Sequence, residues 1–441
     1  MKVLLISYIF APENAIAAVR TTKIAKYLVR KGYDVSVICG PSNTCDPILE
    51  KDIECIDNIE VIDNYSFYNR YIGRTISQVN DPSPNKSVHY SSKYKRIKRL
   101  LKLLPNPFSV YLDLFQSFLW YNRVTRESNL LSNTYDIVLS SFGPIGSHLL
   151  GCHYKKRNKH SLWIADYRDP MVNDQHRGLI RTLYKHYQHQ FLDRADVSFC
   201  VSDGLKSTLS KVNRKAKIYT IRNGFDPEDI RLLQIGENHY QFEKDKLILS
   251  YCGTLYNGRS NLSPLFFILS NLIAEEKISP EHIEIHYAGS DFMLLSNMAQ
   301  KYELEMILIN HGRLSRDKSL QLTRNSDIAL LASWNTKESR GVVTGKVYEL
   351  FLMRKMILCF ISGELANSEL KAMIESANAG YVYEQASNDI QSLKNLLVKA
   401  YRTKMMGYRI IQEVNDNYIM QFSYDVIAQQ INDIIYDICT S

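Results

Sequence analysis

The residues with the clearest capacity for chemistry lie in the run Gly341-Val-Val-Thr344-Gly345-Lys346-Val-Tyr-Glu349-Leu-Phe351. If a helix begins here with Thr344 as its N-cap, Lys346 and Glu349, three residues apart, share one face. Val347, Leu350 and Phe351 then fill the buried face. Free N–H groups at a helix start together with a lysine attract an anion. A carboxylate one turn further on can accept both hydroxyls of a ribose, and phosphate plus ribose describes a nucleotide. The competing reading is a capped surface helix carrying an i,i+3 ion pair. A P-loop is excluded, because only three residues separate Gly341 from Gly345 and Val347 stands where Ser or Thr is required.

Two further stretches carry chemistry. In Tyr251-Cys-Gly253-Thr254-Leu-Tyr-Asn-Gly258-Arg259, two glycines permit tight turns after a strand, and Arg259 could grip a diphosphate with its forked donors. A solvated loop arginine is the alternative. In Ser161-Leu-Trp-Ile-Ala-Asp166-Tyr-Arg168-Asp169-Pro170, Asp166 ends an apolar strand, where a carboxylate is unusual unless it works or is paired. A structural pair of Arg168 with Asp166 or Asp169 would explain it equally. His186 and His189 have metal-like spacing on a helix but no third ligand nearby, so they read as a solvated or packed pair. The chain has no G-x-S-x-G elbow, no G-x-G-x-x-G and no Asp-x-Asp.

These residues need a scaffold, and the chain alternates strands with helices. A buried strand over 3–8 is followed by a turn at 11–14 and a helix to about Lys31, with Ala17, Ile24, Ala25 and Leu28 on its core face; the next strand spans 35–39. A strand–helix–strand unit implies a parallel sheet. The region of about 41–108 breaks the pattern. Its first part, 41–92, is rich in Ser, Asn, Asp and Tyr and reads as an insertion. Helices are expected at 109–128, 145–156 and 178–193, and strands at 135–140, 161–166, 196–201 and 216–221. The turn cluster Asn223-Gly224-Phe225-Asp226-Pro227 marks a boundary between domains 1–222 and 223–441. Strands then recur at 247–251, 283–287, 307–309, 328–331 and 356–360, followed by a helical tail over 386–438. The expected fold is α/β, with two doubly wound Rossmann-like domains. Such domains bind ligands beyond the carboxyl ends of their strands, so the working residues should lie in the loops there.

Composition narrows the partners. The 441-residue chain carries a net charge of +8, which suits an anionic partner, and no nucleic-acid module is recognisable. Its eight cysteines form no C-x-x-C pair, and several lie in apolar runs, as reduced core residues of a reducing compartment do. No secretory leader is recognisable, and no apolar run approaches the roughly 20 residues of a membrane helix. The stretch 93–104 places Tyr94, Ile97, Leu101 and Leu104 on one stripe, widened by Leu100, among Lys93, Lys95, Arg96, Lys98, Arg99 and Lys102. A basic amphipathic helix of this kind lies on an anionic bilayer, unless its stripe packs on the N-terminal domain. A cytoplasmic chain, peripheral at the inner face of the plasma membrane, is the expectation.

The order of several short stretches resembles glycosyltransferase family 4, in the branch found in bacterial capsule, O-antigen and exopolysaccharide clusters. These are Ser7-Tyr-Ile-Phe-Ala-Pro-Glu-Asn14 with Arg20, Ser141-Phe-Gly-Pro144 with Ser147-His148, Trp163 to Pro170, Arg194-Ala-Asp196, and Val201-Ser202. They continue with Asn223 to Asp226, Gly253 to Arg259, His311-Gly-Arg313-Leu314, Gly345 to Glu349, and Asn378-Ala-Gly-Tyr381. The resemblance implies a GT-B architecture with the two domains facing a cleft. It also implies a retaining transfer, from a nucleotide-sugar donor to a lipid-linked or oligosaccharide acceptor, that needs no metal. It assigns the diphosphate to Arg259 and Lys346 and the ribose to Glu349. Gly253, Thr254, Arg313, Thr344 and Gly345 would line the donor site. The loop Asn14–Ala18, with Arg20, would face phosphate and acceptor. Asp166 would occupy the place of a catalytic histidine near the transferred sugar. Two departures stand out. The first Glu of the family's Glu-x7-Glu pair falls at Gly341, and the N-terminal loop reads Ala15-Ile-Ala-Ala18 rather than glycine-rich. A nucleotide-sugar 2-epimerase on the same fold, or a non-catalytic membrane-associated assembly subunit, are the alternatives.

Overall fold

A computed structural model describes residues 1–63, 108–173, 175–232 and 240–440. The basic amphipathic stretch 93–104 lies outside them.

The chain forms two compact units. One comprises Met1–Cys45, Asp52–Cys200 and Thr208–Tyr219; the other comprises Asp46–Lys51, Val201–Ser207 and Thr220–Ser441.

The first unit is built on a seven-stranded sheet in the order β3-β2-β1-β4-β5-β6-β7. Its strands are β1 (Lys2–Ser7), β2 (Asp34–Cys39), β3 (Asn58–Val61), β4 (Ile137–Ser141), β5 (Leu162–Tyr167), β6 (Val197–Cys200) and β7 (Ile218–Thr220). The central strands are largely apolar because both faces are covered: β4 and β5 are buried at every position, with Ser140, Ser141 and Asp166 the polar exceptions near their carboxyl ends. The register places Leu5 beside Val37 on one side and Leu139 on the other, all parallel. The helix Ile16–Arg30 returns the chain from β1 to β2, and Gly32, at φ 87°, turns it.

The second unit repeats the plan with six strands in the order β10-β9-β8-β11-β12-β13. They are β8 (Leu247–Cys252), β9 (Ile283–Ala288), β10 (Leu308–Asn310), β11 (Ile328–Trp334), β12 (Ile357–Ser362) and β13 (Gly380–Glu384). Leu265, Leu269, Leu393 and Leu397 pack on one face of this sheet, and Val347, Phe351, Leu370 and Ile374 on the other. In both sheets the strand order reverses once, between β1 and β4 and between β8 and β11. In doubly wound sheets ligands bind at such a reversal, beyond the carboxyl ends of the strands.

Three elements differ from the sequence reading. Part of the expected insertion is regular structure: a short helix, Pro47–Asp52, whose residues up to Lys51 belong to the second unit, leads to β3, which pairs with β2 as an edge strand of the first unit's sheet. Its Asn-Ile-Glu-Val composition is too polar to read as a strand, because an edge strand buries little. β13 pairs with β12, Leu358 lying beside Tyr381; its short run after Asn378, at φ 45°, carries one aliphatic residue. The helical tail is divided into three helices, Ile390–Met405, Asp416–Met420 and Tyr424–Thr440, a division the sequence reading did not make. Among the described residues no helix is long and apolar enough to cross a membrane.

Candidate functional site

The second unit has a small pocket between the end of β8, the first half of β11 and the helices Arg316–Asn325 and Lys346–Leu352, with Cys252, Arg316, Ser319, Lys346 and Glu349 in its walls. Lys346 opens the helix Lys346–Leu352 that follows β11. Its Nζ donates to the Cys252 carbonyl oxygen and stands 5.1 Å from the centre of the Tyr251 ring. Burial pushes its pKa down to about 8, against the pull of Cys252 and Glu349. Gly253, at φ 129°, is required here on two counts. The conformation disfavours a side chain, and a Cβ would collide with the Lys346 ammonium.

Lys346 and Glu349 line the same pocket as the spacing predicts, but they do not pair with each other. Glu349 accepts from Arg316 Nε at 3.1 Å. Arg316 is further held by Asp229 at 3.4 Å and Asp46 at 3.5 Å, both in the same unit. Burial disfavours its charge, yet Glu349, Asp229 and Asp46 together hold it above the usual arginine range. With one oxygen of Glu349 fixed by Arg316, the other can accept a hydroxyl. Arg316 carried no signal in the sequence, being a lone arginine at the start of a polar helix, Arg316–Asn325.

The cap differs from expectation. Gly345, in helical conformation, is the N-cap, with no side-chain cap bond; Thr344 contributes its carbonyl, which accepts from Val347 N at 3.2 Å. A threonine hydroxyl is not needed because the turn closes through backbone bonds.

Arg259 lies on the loop after β8 and stacks at 5.0 Å on Trp334, the last residue of β11. It thus flanks the same reversal point but is not part of the pocket walls. Thr254 is exposed, and its carbonyl accepts from the Tyr251 hydroxyl at 2.9 Å. Arg313 is exposed beyond β10, two strands from β8.

In the first unit the carboxyl ends of β1, β4 and β5 assemble a different chemistry. Asp166 is fully buried. Arg20 clasps it with both prongs, Nε to Oδ2 at 3.0 Å and Nη2 to Oδ1 at 2.7 Å, and the Ser141 hydroxyl donates to Oδ2 at 2.9 Å. The structure therefore joins two expected site residues to each other. Arg168 is not the partner of Asp166: it donates to the Phe142 and Gly143 carbonyls at 2.6 and 2.8 Å and lies 3.8 Å from Asp169. Both oxygens of Asp166 are thus engaged, one by Arg20 alone and the other by Arg20 and Ser141.

Asn14 is exposed on the loop after β1, its N–H donating to Thr44 Oγ1 at 2.9 Å. Sequence reasoning passed over its neighbour Glu13. The Glu13 carboxylate accepts from Ser42 Oγ at 2.9 Å, Asn43 N at 2.6 Å and Thr44 Oγ1 at 2.7 Å, clamping the loop after β1 to the loop after β2. Burial alone would raise its pKa, but these donors hold it below the usual carboxylate range. His148 is buried against Phe142, Tyr167 and Phe191, and its Nδ1 is 2.9 Å from Ser140 Oγ. Burial lowers its pKa to about 3, so it is a neutral core residue. His186 and His189 are exposed on the helix Gly178–Arg194.

Comparison with known proteins agrees with the fold. Residues 17–229 match the model of Glycosyltransferase Family 4. No curated protein matches the chain. Among solved structures, the sucrose-phosphate synthase of Thermosynechococcus elongatus superposes with a TM-score of 0.61 at 11% identity, covering 100% of this chain and 99% of that one. The α,α-trehalose 6-phosphate synthase of Burkholderia multivorans gives 0.60 at 9% identity over 100% and 99%. The lipopolysaccharide outer core galactosyltransferase WaaB gives 0.56 at 14% identity over 99% and 99%. At these identities the likeness is one of fold: two parallel-sheet Rossmann-like domains, as in GT-B glycosyltransferases.

Proposed function

We propose that this chain is a retaining glycosyltransferase. It would move a sugar from a nucleotide-diphosphate donor to a lipid-linked or growing polysaccharide acceptor in cell-surface polysaccharide synthesis. The observation that carries the proposal is the pocket at the β8/β11 reversal. A half-buried lysine and a carboxylate braced by arginine line one cavity there, near the place where doubly wound sheets bind nucleotides. Lys346 and Arg259 would hold the diphosphate and stabilise the charge that grows as it leaves. Glu349 would accept the ribose hydroxyls. The chemistry needs no metal ion on this reading, since two cations take the role a metal would otherwise play. The basic amphipathic stretch 93–104 would keep the enzyme at the inner face of the plasma membrane, where lipid-linked acceptors are presented.

The test is binding and turnover with a panel of nucleotide sugars in the presence of EDTA. Glu349→Ala should fold normally and bind the donor nucleotide more weakly by about 1.5–3 kcal/mol, the worth of a charged hydrogen bond. Wild-type affinity in the folded variant would remove Glu349 from the site, and activity that EDTA abolishes and manganese restores would overturn the metal-free reading.

A further inference from the structure

The helix Ile390–Met405 closes in a Schellman motif: Gly407 N–H donates to the Lys404 carbonyl at 2.8 Å and Tyr408 N–H to the Thr403 carbonyl at 3.1 Å, with Gly407 at φ 80°. In that motif the residue after the glycine ordinarily packs back on the helix. Here Tyr408 is 67% exposed, and Met406 and Ile411 beside it are 71% and 80% exposed. Three large apolar side chains thus project from one tight turn. The segment is not loosely held. Gln412 donates to the Asn378 carbonyl at 2.6 Å, and the Asn378 amide donates to the Glu413 carbonyl at 2.5 Å.

The surroundings are cationic. Lys277, Lys394, Lys399, Arg402 and Met406 line an open groove along the helix. Lys277 and Lys394 are balanced by Glu275. Lys399, Arg402 and Arg409 make no ion pair among the described residues, and all three are exposed. Apolar side chains on an exposed turn, with Arg409 within it and Arg402 and Lys399 on the helix leading to it, outnumbering the exposed Glu413, match the interface of an anionic bilayer. The rings and chains enter the headgroup layer while the cations meet the lipid phosphates. Three side chains on one turn fall far short of the roughly 800 Å² per partner that a stable protein interface buries.

We propose that the turn Met406–Ile411 and the cations Lys399, Arg402 and Arg409 form a membrane-docking surface for anionic phospholipid. Lys404, one turn earlier, pairs at 2.9 Å with Asp327, which immediately precedes β11. The surface therefore lies at the amino edge of the second sheet, and the pocket of Lys346 at the carboxyl edge of the same sheet. The inference stands apart from the donor reading, and the two fail separately.

The experiment uses the full chain and vesicles of phosphatidylcholine alone or with one quarter phosphatidylglycerol, at low and high salt. Binding to UDP, GDP and ADP is measured in parallel. Met406→Ser/Tyr408→Ser/Ile411→Ser should lower partitioning onto the anionic vesicles at both salt concentrations. Lys399→Gln/Arg402→Gln/Arg409→Gln should lower it by roughly tenfold or more at low salt and flatten the salt dependence. Both variants should keep the wild-type melting temperature and nucleotide affinity. A third variant, Lys95→Gln/Lys98→Gln/Arg99→Gln/Lys102→Gln, separates this surface from the stretch 93–104. Unchanged partitioning of the first two variants overturns the proposal. So does sedimentation that shows the wild type self-associating through the turn, with vesicle binding indifferent to it.

Discussion

At the scale of single residues, the candidate donor site turns on where one proton sits. Lys346 is held at a pKa of about 8 because its ammonium is buried and has only a carbonyl as a close acceptor. A bound diphosphate favours the charged form and raises that value. Nucleotide diphosphate affinity should therefore be flat below about pH 8 and fall above it, by up to about tenfold per pH unit, until the pKa of the bound state is passed. Isothermal titration across pH 6.5–10 measures this, and Lys346→Met should bind weakly with no such slope; the same slope in the variant would assign it elsewhere. Gly253→Ala probes the same atom from the other side. The new methyl must displace the ammonium and sit at φ 129°, so nucleotide binding should be lost. Stability should fall by roughly 1–3 kcal/mol in chemical denaturation.

At the scale of elements, the Arg20–Asp166 pair ties the helix Ile16–Arg30 to the end of β5. Both side chains are buried, so removing one leaves the other as an uncompensated charge. Asp166→Ala should destabilise the chain by about 3–5 kcal/mol in urea unfolding, whatever it does to turnover. An Asp166→Ala protein of wild-type stability with abolished transfer would point to a purely catalytic role. The sequence marked both residues, since a carboxylate at the end of an apolar strand demands a partner, but the partner it offered was Arg168, not Arg20. The choice between a neighbour two residues away and one 146 residues away is made by the parallel pairing of β1, β4 and β5, which no local pattern contains.

At the scale of the whole molecule, the second compact unit is not one continuous stretch. Its Arg222 pairs with Asp203 at 2.7 Å and with Glu369, and Glu369 also accepts from the backbone N–H groups of Asp203 and Gly204 at 3.0 and 3.1 Å. A cut at the turn Asn223–Pro227 separates Glu369 from all three of these partners, Arg222, Asp203 and Gly204. A fragment beginning at residue 223 should therefore melt below one beginning at residue 201, and a thermal scan of the two decides it. Equal melting temperatures would make the 201–222 segment dispensable.

Alternating apolar strands and helices, punctuated by Gly32 and the cluster at 223–227, made the two doubly wound domains legible from the sequence. Burial on both faces writes itself into composition. The Lys346/Glu349 spacing was legible for the same reason, since helical geometry is local. The edge strand β3 was not, because a half-solvated strand need not be apolar; neither was Arg316, whose role depends on carboxylates at positions 46, 229 and 349. Local periodicity determines which elements form. Only the tertiary structure decides which distant charges meet, because a charge is buried where it finds a partner and the sheet order, rather than the neighbouring sequence, supplies that partner.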